Sequence, residues 1–241
     1  MLRFNPERYR FQSIENTIRY FYPIGLAIDD AEYVRFQGLK EMTDLVAAAV
    51  HNEQCYQETW VSFENEVKVQ SKKAVIGSTY GQEPSYSANL IIEKSKQDNL
   101  TRIKELHFTV SLLGPYYTVI GQDKTIIHTV RNDQFQATNY LVVSPENGFN
   151  DSFHLICKLI EERFSGYQFI PAIIYQQTLK NISVQYNSIP HTTVFHALFN
   201  SHPDIYIDRK IGDDCFKITD WEVEGYNDSM DRKWQAYSSR N

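Results

Sequence analysis

The sequence lacks any long apolar segment. No stretch of the 241 residues approaches the roughly 18 uncharged apolar residues that a membrane-spanning helix needs. The first eight residues, Met1 to Arg8, contain no apolar run that could form the core of a signal peptide. These absences predict a soluble protein of the cytoplasm.

Cysteine is also scarce. Cys55, Cys157 and Cys215 are far apart in the sequence and form no Cys-x-x-Cys pair. An odd, widely spaced set is typical of reduced thiols in a reducing compartment. We therefore interpret all three as small core residues, and we expect no structural metal and no catalytic thiol.

Glycine-rich phosphate loops and the common catalytic motifs are missing as well. The ten glycines are scattered and match neither Gly-x-Gly-x-x-Gly nor Gly-x4-Gly-Lys-Ser/Thr. The chain has no Gly-x-Ser-x-Gly elbow, no His-Glu-x-x-His and no protein-kinase motif set. These absences exclude the usual nucleotide-binding signatures, and they predict that the chain binds no cofactor.

Basic residues are nowhere concentrated, whereas acidic residues are. The net charge is −6, and the segment 204–231 holds nine acidic residues against three basic ones, so this segment accounts for all of it. No block of five or more basic residues occurs. Because neutralising nucleic-acid phosphates requires clustered Lys and Arg, the charge pattern argues against nucleic acid as a partner.

Within the acidic segment, aromatic residues alternate with the charges, as in the run from Asp220 to Asp228. An anionic surface with aromatic anchors suits a basic protein partner, because charge steers association and aromatic rings anchor the complex. The alternative is a solvated edge on which the tryptophan alone is buried. The candidate partner-binding residues are Asp213, Asp214, Asp220, Trp221, Glu222, Glu224, Tyr226 and Asp228.

Two histidines are candidates for acid–base chemistry. His107 falls on the polar phase of the clearest alternating stretch, 106–112, and His128 falls on a neighbouring stretch. On adjacent strands they would meet, with Glu105 orienting one of them. Polar residues on such a face also serve solubility alone, so both interpretations stay open.

A second group of histidines lies near the acidic segment. His191, His196 and His202 form the densest set, with Asp204 beside them. The five-residue spacing of the first two does not place them on one helical face as three or four would. We therefore interpret the group as solvent-facing or capping residues, with a metal site as the alternative.

The hydrophobic periodicity changes from about 3.6 to 2 after the first fifty residues, which predicts helices followed by a sheet. Short connections between the alternating stretches favour antiparallel pairing. The early elements are a helix over 13–22, a longer one capped by Asp29 or Asp30, strands over 60–69, 86–92 and 106–112, and a hairpin of 116–121 and 125–130 around a turn at 122–124.

The second half mixes both periods. The predicted elements are strands over 140–143, 170–175, 182–186 and 215–223, and helices over 151–164 and 193–199. No linker divides the chain. The sequence thus predicts one α+β domain over 1–241, with a mainly antiparallel sheet and helices packed on one face.

A small acidic chain that is rich in aromatic residues, with 16 Tyr and 14 Phe, and that lacks catalytic motifs resembles the immunity proteins that bacteria keep against polymorphic or type VI effector toxins. The resemblance implies a non-enzymatic inhibitor that binds and neutralises a cognate, often basic, toxin. The alternative is a hydrolase or transferase of unfamiliar type that uses His107 and His128 or the second histidine group.

Overall fold

A seven-stranded sheet dominates the computed structural model, which describes residues 11–129, 133–146, 148–185 and 192–212. The first five strands pair antiparallel in chain order, β6 pairs parallel with the start of β4, and β7 pairs parallel with the end of β5. The predicted α+β class and mainly antiparallel sheet are confirmed. The strands are β1 Val75–Gly77, β2 Ser85–Gln97, β3 Leu100–Ser111, β4 Tyr116–His128, β5 Gln134–Val142, β6 Gln168–Phe169 and β7 Lys210–Ile211.

The helices predicted over 13–22, 151–164 and 193–199 are confirmed, and their ends differ from the predicted ones by one or two residues. The second helix begins at Gln37 rather than near Asp30, because the Asp30 carboxylate accepts the Ala27 N–H at 2.7 Å in a turn. The helices are α1 Phe11–Phe21, α2 Gln37–Val46, α3 Glu53–Tyr56, α4 Ser62–Ser71, α5 Asn150–Arg163, α6 Ala172–Tyr175 and α7 Val194–Leu198, and π-helical turns Ala47–His51 and Gln57–Val61 flank α3.

The strand predicted over 60–69 is wrong, because this stretch is helical from Gln57 to Ser71. The spacing of its apolar residues fits both the strand period of 2 and the helical period of 3.6, and the structure has the helix. Trp60, Phe63 and Val67 lie on one helical face and are fully buried, whereas Val69 is 73% exposed.

The hairpin predicted around residues 122–124 is also wrong. Strand β4 runs without interruption, with Gln122 paired to Glu105 on one side and to Leu141 on the other. Its turn-like Gln-Asp-Lys sequence stays extended because neighbouring strands supply partners. The buried Asp123 carboxylate accepts two hydrogen bonds from Arg102, at 2.8 and 3.1 Å.

The four strands predicted in the second half of the chain have different outcomes. The stretch 170–175 is not a strand, since Pro171 precedes the short helix α6. From 182 to 185 there is one isolated bridge, between Ile182 and Ile24, instead of a strand. The predicted 140–143 strand is the end of the longer β5, and the predicted 215–223 strand lies outside the described residues.

The helices α4 and α5 pack on one face of the sheet. Trp60 stacks on Tyr86 of β2 with ring centroids 5.2 Å apart, and it packs against Phe108 of β3 at 5.8 Å. From α5, Glu161 accepts a hydrogen bond from the Tyr117 hydroxyl of β4 at 2.6 Å. Among the described helices, none combines the length and the apolar character of a bilayer span.

Candidate functional site

The second face of the sheet carries polar side chains that are buried, so the interpretation that they serve solubility on a solvated face is wrong. Residues 170–185 and 192–205, the covering chain, lie over it: Thr118 donates to the Ile170 carbonyl at 2.8 Å, and Asn200 approaches Ser85 and Thr109 at 3.4 Å. A second layer of protein therefore replaces the water. The buried polar residues of this face are Ser85, Ser87, Thr101, Glu105, His107, Thr109, Ser111, Thr118 and Gln122.

His107 lies inside this buried polar face. Its Nδ1 is 3.0 Å from Oδ1 of Asn89, and its Nε2 has no hydrogen-bond partner among the described residues. Burial, together with the nearby His202 and the Lys124 ammonium, lowers the pKa of His107 to about 3. The imidazole is therefore neutral at physiological pH.

Glu105 and His128, the other members of the predicted acid–base group, form no hydrogen bond with His107. Glu105 accepts a short hydrogen bond from Lys124 in a buried ion pair. His107 is opposite Ile120 on β4, so His128 lies eight residues further along that strand, about 27 Å away at roughly 3.4 Å per residue. The expectation that the two histidines meet is wrong, because the register of β3 and β4 keeps them apart.

The second histidine group is divided as well. His196 forms a capping box with Thr193 at the start of α7 and stacks on Tyr206 at 5.5 Å, and burial lowers its pKa to about 4. His202 is exposed and lies 3.0 Å from the Ser201 hydroxyl, while His191 is outside the described residues. Within the described ranges, no three His, Cys, Asp or Glu side chains converge as metal ligands.

The cysteines within the described ranges differ in burial. Cys157 is fully buried in α5, and that burial raises the pKa of its thiol. This position agrees with the expected core role, since a buried protonated thiol is a weak nucleophile. Cys55 is partly buried, and Cys215 lies outside the described residues.

A buried carboxylate fastens the covering chain to the sheet. Glu83, which precedes β2, accepts hydrogen bonds from the Ser201 backbone N–H at 2.9 Å and from the Ser201 hydroxyl at 2.6 Å. Asn200 also accepts the His202 N–H at 3.1 Å. The polar face thus holds the 200–202 turn in place.

We predict that Glu83→Ala destabilises the fold by about 2 kcal/mol, because it leaves two donors of the covering chain without their charged acceptor. Denaturant unfolding measures this loss. The matched control is Glu93→Ala, whose carboxylate forms an exposed ion pair with Lys104, and its loss should be much smaller. Equal losses in the two variants would contradict the role assigned to Glu83.

The outer half of the sheet extends beyond the described helices and carries an exposed apolar row. Leu100 on β3 is opposite Ile127 on β4, which is opposite Phe135 on β5. Directly opposite residues share a face of the sheet, so the three side chains lie side by side. They are 40%, 44% and 62% exposed, whereas Phe108 on the same face of β3 is fully buried.

Paired charges border this apolar row towards the helices. Arg102 and Asp123 form an ion pair at 2.8 Å, and Lys104 binds Glu93 at 2.7 Å. An apolar centre with a polar border is the arrangement of protein–protein interfaces.

All eight partner-binding residues predicted in the acidic segment, from Asp213 to Asp228, lie outside the described residues. The described beginning of the segment runs along the same sheet: Lys210 pairs with Leu141 of β5, and the Arg209 guanidinium lies 5.7 Å from the Tyr140 ring centroid. Phe135 is six residues from Leu141, about 20 Å along the strand.

The apolar row was missed because no strand was predicted over 134–139. The available signal was the alternation of Phe135 and Ala137 with Gln134, Gln136 and Thr138. Comparison with known protein families, curated proteins and solved structures finds no match for the chain.

Proposed function

We propose that this chain is a non-enzymatic protein-binding protein of the immunity type, which binds and neutralises a basic effector toxin. The observation that carries the proposal is the exposed row of Leu100, Ile127 and Phe135. Single exposed apolar residues are ordinary on protein surfaces, whereas three in register on adjacent strands form a contiguous patch. Such patches mark interaction sites.

The row provides enough apolar surface to anchor a partner. Burying a Leu, Ile or Phe side chain completely contributes roughly 1.5–3 kcal/mol, and all three residues still have a large part of that burial to gain. Their backbones are held in the sheet, so little conformational freedom is lost on binding. The apolar row therefore suits the centre of an interface.

The acidic segment 204–231 supplies the charge in this proposal. Asp213, Asp214, Glu222 and Glu224 attract a cationic protein, and Trp221 or Tyr226 adds an anchor. Because the rest of the chain is neutral overall, the long-range field comes from this segment. That field is screened over about 8 Å at physiological salt.

The alternative of a histidine-dependent hydrolase or transferase has less support. His107 on β3 and His128 on β4 are far apart, and His107 is buried and neutral, while Glu105 is bound to Lys124. A general base must reach both its substrate and its orienting partner. The described histidines do not have that arrangement.

The first test identifies the partner and its activity. The full chain, purified from the cells that produce it, should retain one basic protein in equimolar amount. That protein should stop cell growth when expressed alone, and co-expression of this chain should restore growth. A partner that is harmless without the chain, or the absence of an equimolar partner, would refute the immunity function.

The second test asks whether the apolar row binds that partner. Leu100→Thr or Ile127→Thr should weaken the purified complex about 30-fold, mainly through a faster off-rate, because central apolar anchors lie in the hot-spot range of 2 kcal/mol or more. Val34→Thr changes an apolar residue that is 67% exposed elsewhere and serves as the control. Equal affinities for all three variants would exclude the row.

The third test concerns the acidic segment. Replacing Asp213 and Asp214 by Lys should slow association at low salt and flatten its dependence on ionic strength, while the off-rate stays close to that of the unmodified chain. Stopped-flow or surface-based kinetics measures both rates. An unchanged on-rate and an unchanged salt slope would show that the segment is a solvated edge.

A further inference from the structure

The outer edge of β5 is covered only at one end by the described residues. Among the described residues, β7 is its outer neighbour and pairs only with Leu141 and Val142. The preceding residues from Gln134 to Asn139 pair with β4 on the inner side alone. Along this six-residue stretch, the backbone groups that point away from β4 therefore have no strand partner among the described residues.

The hydrogen-bond phase of the ladder shows which groups point outwards. The Thr129 N–H donates to the Asp133 carbonyl at 2.9 Å, so these two residues form a hydrogen-bonded pair. In an antiparallel ladder every second pair is of this kind, so Phe135 and Ala137 bond to β4. The N–H groups of Gln134, Gln136 and Thr138 consequently face the open edge.

This edge has few of the features that prevent strands from joining. The sequence from Gln134 to Asn139 contains no charged residue and no proline, and its one irregularity is the bulge at Asn139. The opposite edge of the same sheet differs. There β1 covers β2 only as far as Leu90, and the uncovered stretch Glu93–Gln97 carries Glu93, Lys94 and Lys96.

We propose that two copies of this chain pair through β5, antiparallel and about a two-fold axis, to form one continuous sheet. Joining β5 to the other edge, β2, would be a head-to-tail contact that continues into filaments, and the charges on β2 oppose it. Pairing β5 with itself closes after two copies. Because the strand is uncharged, self-pairing places no like charges opposite each other.

The dimer leaves the apolar row accessible. Side chains project perpendicular to the sheet, whereas the new hydrogen bonds lie in its plane. Leu100, Ile127 and Phe135 of each copy therefore continue into one longer row across the joint. The inference rests on the β5 backbone and is independent of the proposed function, which rests on the face of the sheet.

Light scattering and sedimentation across a dilution series test the dimer with the full chain. Six paired residues a side make a small interface, so we expect reversible association. The mean mass should rise with concentration from 28.2 kDa towards twice that value. In hydrogen exchange, the amides of Gln134, Gln136 and Thr138 should become more protected at high concentration. A mass that stays at 28.2 kDa throughout would overturn the proposal.

Variants locate the contact. Gln136→Pro removes an outward N–H without breaking the hydrogen bonds to β4. Because both copies of the dimer carry the substitution, two hydrogen bonds between the copies are lost, and the dimer should weaken about 30-fold. Gln136→Lys should act similarly by placing two ammonium groups near the axis, and circular dichroism verifies that both variants fold. Leu100→Thr, two strands from the edge, should dimerise like the unmodified chain. Unchanged dimerisation of both Gln136 variants would place the contact elsewhere and overturn the proposal.

Discussion

Acidification from pH 7 to pH 4.5 should remove much of the stability of this fold, because two buried histidines resist protonation. The pKa of His107 is lowered to about 3, mainly by burial, and that of His196 to about 4 for the same reason. In the unfolded chain both should titrate near 6.5. Between these values the unfolded state binds more protons than the folded state, so stability falls as the pH falls.

The expected loss is large relative to the stability of a domain. Each histidine lowers the free energy of unfolding by about 1.4 kcal/mol per pH unit below 6.5, until the pH reaches its pKa in the folded state. At pH 4.5 the two histidines together therefore lower the free energy of unfolding by on the order of 5 kcal/mol. Total stabilities are typically about 5–15 kcal/mol. Burial raises the pKa of Glu64, so protonation of that carboxyl opposes part of the loss. Asp123, whose pKa is lowered, contributes only at still lower pH.

Urea unfolding at a series of pH values measures the slope. We expect His107→Gln and His196→Gln each to flatten the decline between pH 6.5 and 4.5, whatever their effect on stability at pH 7. The control is His51→Gln, since this imidazole is exposed and bonds only to the Gly81 carbonyl at 2.7 Å among the described residues. If both buried-site variants keep the original slope, the acid sensitivity has another origin.

The central strands could be predicted because their apolar residues alternate with polar ones, and the apolar residues pack mainly on the same side of the sheet, against the helices. In β3, Leu106, Phe108 and Val110 alternate with polar residues, and a period of two over such a length has no helical interpretation. The burial of the polar phase could not be predicted in the same way. The described residues that cover it form only the short helices α6 and α7, and the hydrogen bond between Ser201 and Glu83 joins residues 118 positions apart.

The candidate site shows the same limit. The exposed row depends on the register that places Leu100, Ile127 and Phe135 opposite one another, and each residue alone is unremarkable in the sequence. The prediction that His107 and His128 meet was wrong for a related reason. The sequence indicates that each lies on a strand, but it does not give the register of the two strands, and the register determines the distance between the side chains. By contrast, the acidic segment is a property of composition, so it could be recognised without a fold and stays a prediction.

The helical assignment of 57–71 makes opposite predictions from the strand assignment for two residues. On a strand, Val69 would share the apolar face with Val67, and Trp60 would belong to the solvated phase. On the helix, Trp60 is fully buried between Tyr86, Phe63 and Phe108, while Val69 is 73% exposed.

We therefore expect Trp60→Ala to destabilise the fold by about 3–5 kcal/mol, because it removes the central ring of an aromatic cluster and leaves a cavity that its neighbours cannot fill. Val69→Ala should change stability by less than about 0.5 kcal/mol, as exposed helix positions usually do. Trp60→Phe keeps part of the ring contact and should fall between them. Denaturant unfolding at neutral pH ranks the three variants. A large loss of stability for Val69→Ala together with a small loss for Trp60→Ala would contradict the helix and favour the strand. Only a Trp60 side chain in solvent could be shortened to Ala at little cost in stability.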